Sequence, residues 1–296
     1  MRVKQYISFM TIDTHTYPQA GGLDWLTIWR DMYDAERRQG EAATDPALAR
    51  SADTWAGRAS RYAASAQRTP QPDSFLQLLL PRLRPSDTVM DVGAGTGRYL
   101  PLLSRHVARV IAVEPSAAMR AELGALIAAE GLTNVEVVEA FWPAPEPLRA
   151  DVIISAHVVY GVREIGPFLA ALDRAANRAC YLYVGLRHPS MALAHFWKHI
   201  HGEARLPLPC ALETMNALYQ MGIFATLELV PISSGFRFSD EAEALHDIRI
   251  RLHVAPDPAR DAAILGAMAT LLVRDAEGFL VPPDQFDHAA VIGWER

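Results

Sequence analysis

DVGAGTGRYL, residues 91–100, sets three glycines at alternate positions after an apolar run and ahead of a helical pattern. Glycine adopts the positive φ angles of a sharp turn and, without a Cβ, lets a ligand come close to the backbone. A helix that follows such a turn offers free N–H groups and the positive end of its dipole to an anionic group. The stretch therefore predicts a nucleotide-binding strand–loop–helix, with the helix starting near Arg98. Pro101 fits its first turn, where no amide hydrogen bond is lost.

The same rhythm extends on both sides. TVMDV (88–92), RVIAVE (109–114), VEVVEAF (135–141), DVIISAH (151–157) and CYLYVGL (180–186) read as five buried strands. Between them lie helical patterns, among them SAAMRAELGALIAAEG (116–131) with Ser116 as N-cap and Gly131 at its end, and GPFLAALDRAAN (166–177). Apolar runs alternating with helices predict a mostly parallel sheet covered on both faces, with ligands beyond the carboxyl ends of the strands. Ahead of this core, DWLTIWRDMYDAERR (24–38) puts Trp25, Ile28, Trp29, Met32 and Tyr33 on one helical face. Asp73 is the expected cap of SFLQLLLPRL (74–83). After residue 187 come helical stretches near 190–202, 212–222, 240–252 and 259–273, with the apolar runs FATLELVPI (224–232) and HAAVIGW (288–294). The chain divides into an N-terminal helical cap (1–70), a nucleotide-binding core (71–187) and a helical insertion after the fifth strand that completes the sheet (188–296).

Glu114 ends the second strand about twenty residues past the first glycine, where a carboxylate accepts both hydroxyls of a ribose. A dinucleotide fingerprint requires G-x-G-x-x-G, yet Arg98 holds its last position and the third glycine comes one residue early. A nicotinamide-dependent oxidoreductase is thereby disfavoured. VMDVGAGTG (89–97) resembles the first motif of the class I S-adenosylmethionine-dependent methyltransferases, and VIAVEPS (110–116) resembles their second. The likeness spans roughly residues 73–187. It implies an α/β doubly wound, Rossmann-like sheet of seven strands with a reversed last strand, supplied by HAAVIGW or FATLELVPI. It also implies S-adenosyl-L-methionine as cofactor. Asp91 and the loop of Gly93, Ala94, Gly95 and Gly97 would face its methionine part, and Glu114 its ribose, with Pro115 and Ala156 completing the set. The acidic residue that often follows the third strand is missing from EAFWP (139–143), so Phe141 and Trp142 are the expected adenine contacts. SAHVVYG (155–161) stands where a D-P-P-Y type motif would follow the fourth strand, which argues against methylation of nucleobase or glutamine nitrogens.

Methyl transfer from a sulfonium demands alignment and exclusion of water more than a fixed set of catalytic side chains. His157, just past the fourth strand, is the expected catalytic residue, because imidazole titrates near neutrality; the alternative is a histidine bonded to a neighbouring loop. His188, His195, His199 and His201 form a second cluster. His195 and His199 would share a helix face, but no H-E-x-x-H motif is present and no metal is expected. ADTWAGRASRY (52–62) resembles the segment that closes over the cofactor in many small-molecule methyltransferases; Tyr62 is the matching aromatic, with Trp55 behind it. Core packing is the competing reading for Trp25 and Trp29.

Composition narrows the partners. Half of the 296 residues are apolar, the net charge is -6, and no Lys/Arg run stands out. An electrostatic grip on a phosphate backbone is not expected, and so neither is nucleic acid. Cys180 and Cys210 support neither a disulfide framework nor a zinc site. No stretch approaches the roughly 20 apolar residues of a membrane span, and MRVKQYISFMTIDTH (1–15) lacks a signal-peptide pattern. The expectation is a cytoplasmic enzyme that methylates a small, largely apolar or aromatic acceptor, its oligomeric state left open. A cofactor-binding regulator or scaffold without transfer is the alternative.

Overall fold

The computed structural model describes residues 22–48, 59–68, 71–232, 236–283 and 286–296. Helices α1 (Trp25–Ala43), α2 (Ala59–Arg68) and α3 (Ser74–Leu79) precede the sheet. Then β1 (Thr88–Val92), α4 (Leu100–His106), β2 (Arg109–Val113), α5 (Ala117–Glu130), β3 (Val135–Val138), β4 (Ala150–Ala156), α6 (Ile165–Ala175) and β5 (Ala176–Gly185) follow in turn. The downstream segment holds α7 (Ala194–His201), α8 (Ala211–Gln220), β6 (Thr226–Pro231), α9 (Glu241–Leu252), α10 (Pro258–Leu271), the short hairpin β7 (Val273–Arg274) and β8 (Leu280–Val281), and β9 (His288–Glu295).

The seven-stranded sheet runs β3-β2-β1-β4-β5-β9-β6. The four pairings among β1 to β5 are parallel, whereas β9 is antiparallel to both β5 and β6. HAAVIGW is thus the reversed strand, wedged between β5 and FATLELVPI. Strand order reverses between β1 and β4, which opens the crevice where ligands sit on such sheets.

Several boundaries differ from the sequence reading. The helix after the glycine loop begins at Leu100, two residues later than expected, because a turn through Gly97 and Arg98 comes first. The third strand stops at Val138, so Phe141 and Trp142 lie in the following loop. The fifth strand begins at Ala176, taking residues assigned to the preceding helix. Asp73, Ser116 and Gly131 do cap as expected: Asp73 accepts from Leu76 N, Ser116 from Met119 N, and Gly131 takes a left-handed φ of 62°.

Alternate residues of the central strands feed two cores. Met90 and Val92 join Ile153, Phe168, Leu169 and Leu182 on one side, while Val89 joins Val110, Val152, Phe75 and Leu76 on the other. A third cluster, around Phe196, Trp197, Ile248 and Ile264, organises the insertion. Trp29 is fully buried in the first core and donates its indole N–H to Val162 O at 2.7 Å. Core packing is therefore its role, and α1 completes the sheet's cover. From α1, buried Glu36 pairs with buried Arg205, whose guanidinium lies 3.8 Å from the Trp197 ring centroid. Trp55 and residues 1–15 fall outside the described residues. Among the described residues, no helix is long and apolar enough to cross a membrane.

Candidate active site

Gly93, Gly95 and Gly97 adopt φ of 79°, 58° and 84°, in the region that L side chains disfavour. Gly93 also meets a steric demand: a Cβ there would stand 2.3 Å from Val158 Cγ2, so the loops after β1 and β4 close on each other. Glu114 fixes the next turn. Its carboxylate accepts from Gly95 N and from Ser116 N, both at 2.8 Å, and it is buried. The residue expected at the ribose thus also ties the glycine loop to the end of β2. Arg120 donates to the carbonyls of Glu114 and Pro115 and pairs with Glu139 at 2.7 Å.

A narrow cavity with about 360 Å³ of empty space opens beside this loop. Of the expected site residues, Tyr62, Asp91, Gly93, Ala94, Gly95, Ala156 and His157 line it, and the structure adds Arg98 and Tyr99. Tyr62 Cε1 comes within 4.0 Å of where a Cβ on Gly95 would be, so this ring covers the loop. Glu114 and Pro115 stand behind the lining. Phe141 and Trp142 are not brought to it: Phe141 is 80% exposed, and Trp142 packs on the core with its indole N–H toward Phe168 O at 3.3 Å.

Two polar groups on the lining lack partners. Asp91 is buried at the end of β1, and no described residue donates to its carboxylate; burial, and then the charge of Glu114, push its pKa up to about 7. Arg98 gives one guanidinium nitrogen to Asp73 at 2.6 Å but leaves its buried Nε–H without an acceptor. An acid that wants a cation and a guanidinium edge that wants an anion share one wall. The charges of an α-amino acid zwitterion match that pair, and S-adenosylmethionine ends in one. Arg98 carried little signal in the sequence beyond breaking the dinucleotide pattern.

His157 lies on the same lining in a left-handed conformation, φ 58°. Its N–H donates to Tyr183 O at 2.8 Å, and its ring sits 4.7 Å from that of Tyr183, centroid to centroid. Nδ1 is 3.2 Å from Tyr160 Oη, and that hydroxyl accepts from Gly185 N at 2.6 Å. Burial, with Arg98 nearby, lowers the His157 pKa to about 4. The expected titration near neutrality is overturned, since the pocket desolvates the imidazolium and supplies no carboxylate bonded to it. His188 is lowered to about 3, burial again leading. His195 and His199 are exposed on α7, and His201 Nε2 lies 2.9 Å from Leu252 O. Among the described residues, no group of three His, Cys, Asp or Glu is placed to hold a metal ion.

A doubly wound sheet with its glycine loop at the switch in strand order defines a nucleotide-cofactor protein. Residues 62–200 match the family model described as "Methyltransferase domain". This segment is therefore similar to methyltransferase domains, and it spans 139 of the 296 residues. A protein-L-isoaspartate O-methyltransferase from Methanoregula boonei is 39% identical over 66 residues, 22% of this chain and 30% of that protein. The chain thus matches less than a third of that relative's length. Among solved structures, the YcgJ protein from Bacillus subtilis is 16% identical, with a TM-score of 0.48, covering 75% of this chain and 97% of that one. Magnesium protoporphyrin IX methyltransferase from Synechocystis PCC 6803, with bound S-adenosylhomocysteine, is 17% identical, with a TM-score of 0.44, covering 71% and 94%.

Proposed function

We propose that this protein holds S-adenosylmethionine at the glycine-loop cavity and transfers its methyl group to a small-molecule acceptor. The observation that carries the reading is the unpartnered pair on one wall, the Asp91 carboxylate and the Arg98 Nε–H. Asp91 would receive the ammonium of the methionine part, Arg98 its carboxylate, and the Gly93–Gly97 loop would lie against its chain. Glu114, which anchors Gly95 and Ser116 beside the loop, would accept from the ribose. Pro115 and Ala156 complete the set, and Phe141 and Trp142 would have to turn inward to meet an adenine. The bound cofactor supplies an electrophilic methyl: an acceptor lone pair forms the new bond to carbon as the C–S pair withdraws onto a neutral thioether. Alignment is the protein's contribution, with Tyr62 over the loop and His157 on the same lining. A net charge of -6 with no Lys/Arg run supports a small acceptor over nucleic acid.

Calorimetry with S-adenosylhomocysteine tests the site. Asp91→Asn and Arg98→Ala should each weaken binding about tenfold or more, the value of a hydrogen bond to a charged group. Full affinity in both variants would remove the reading. Incubation with labelled S-adenosylmethionine and a metabolite extract then separates a transferase, which leaves labelled product, from a binding module, which leaves none.

A further inference from the structure

We infer that His157 serves the transfer as a neutral hydrogen-bond donor through Nε2–H, its tautomer set by Tyr160, on an acceptor whose reacting atom carries no proton. This deepens the proposed methyl transfer and rests on it. The Tyr160 hydroxyl oxygen already accepts Gly185 N–H at 2.6 Å. Its own proton has one acceptor within reach among the described residues, His157 Nδ1 at 3.2 Å. A buried hydroxyl left without an acceptor is costly, so Tyr160 donates and Nδ1 accepts. A neutral imidazole with Nδ1 as acceptor carries its hydrogen on Nε2. That nitrogen has no partner among the described residues, and it belongs to a side chain lining the cavity.

The arrangement is built, not incidental. A Cβ on Gly185 would stand 3.0 Å from Tyr160 Oη and 2.6 Å from Arg187 O, so glycine is what admits the hydroxyl. The left-handed backbone at His157 is a strain that persists only where surrounding contacts enforce it. Around the ring stand Tyr183 from β5, Tyr160 from the turn after β4, Arg98 from the glycine loop and His188 after β5, with Asp91 on the same cavity; no carboxylate bonds to it. Nothing there would stabilise an imidazolium, so taking a proton from the acceptor is disfavoured. A donor suits a carboxylate instead: one oxygen receives Nε2–H while the other attacks the methyl carbon, and no proton has to leave.

The ligand-free protein carries the test. In ¹⁵N-histidine-labelled protein, the His157 signals, assigned by their loss in His157→Gln, should show the Nε2–H neutral pattern unchanged from about pH 5.5 to 8. An Nδ1–H pattern, or titration near neutrality, would overturn the inference. Tyr160→Phe should mix the tautomers, whereas a purely structural tyrosine would lower stability and leave the tautomer alone. In transfer assays on the carboxylates of a metabolite extract, His157→Gln, which keeps a donor but is no base, should exceed His157→Ala by about tenfold. Equal loss in both variants would point to a base. Failure of S-adenosylhomocysteine to bind the unmodified protein would sink the cofactor reading separately, because the tautomer is read without it.

Discussion

The two ends of the same strands handle buried charge in opposite ways. At the amino ends of β1, β4 and β5, an open groove is lined by Arg84, Ser86, Asp87, Asp151, Asn177, Arg178 and Arg296. Its buried acid is matched: Asp87 pairs with Arg178 and accepts from Arg84 N, while Asp151 accepts from Thr88 N and Asn177. Among the described residues, Arg178 Nε lacks an acceptor as Arg98 Nε does. At the carboxyl ends, Asp91 has no donor among the described residues, and His157 has no carboxylate to charge it. The larger opening is the quieter one. Compensated charge holds strands in register, whereas uncompensated charge is a cost retained where a ligand is to supply the partner.

The largest expected effect tests the matched end. Arg178→Ala leaves Asp87 buried without its cation and should cost about 3–5 kcal/mol of stability by urea denaturation. Affinity for S-adenosylhomocysteine should stay the same, and a parallel loss of affinity would break the contrast between the ends. Glu114→Ala should act on both properties, because the carboxylate both anchors Gly95 and Ser116 and faces the proposed ribose site. Affinity should fall by roughly 1.5–3 kcal/mol for each charged hydrogen bond lost, with a lower melting temperature alongside. A fall in affinity alone would mean that the loop holds itself.

Asp91 offers a sharper probe. With its pKa near 7 in the free protein, binding an ammonium should expel a proton, so affinity should rise with pH from about 5.5 to 7.5. Calorimetry in buffers of different ionisation enthalpy reads that proton directly, and Asp91→Asn should abolish the release.

The smallest effect is on acid stability. Burial puts the folded His157 and His188 at about 4 and about 3, below the usual imidazole range, so as pH falls through that range the unfolded chain binds their protons more readily and stability falls with pH. Asp91 works the other way, its raised pKa favouring the folded state as pH drops from 7. Between about pH 7.5 and 5.5 the net loss should be about 1 kcal/mol, and Asp91→Asn should steepen it. A stability that rises on acidification would mean that at least one of the two histidines is not desolvated.

Legibility in the sequence followed locality. The glycine loop, the β1 and β2 strands and the caps at Asp73, Ser116 and Gly131 were readable, because each depends on a few adjacent residues. Phe141 and Trp142 stand away from the cavity because the third strand ends at Val138, and beyond it Trp142 packs toward α6 while Phe141 faces solvent. His157 was readable as a pocket residue but not as a desolvated one, since its surroundings come from β5 and the glycine loop.

By itself, the sequence determined the class of sheet and the turn that receives a nucleotide, because hydrophobic period and glycine placement are local instructions that packing seldom overrules. Only the tertiary structure decided which apolar run became the reversed strand, since either HAAVIGW or FATLELVPI could supply it and they differ in the neighbours that bury them. It likewise decided that Arg98 Nε and Asp91 share a wall, and that the Tyr160 hydroxyl meets His157 Nδ1. Protonation and partnership depend on what surrounds a group in space, and residues 91, 98, 157 and 160 meet only when the sheet brings its strand ends together.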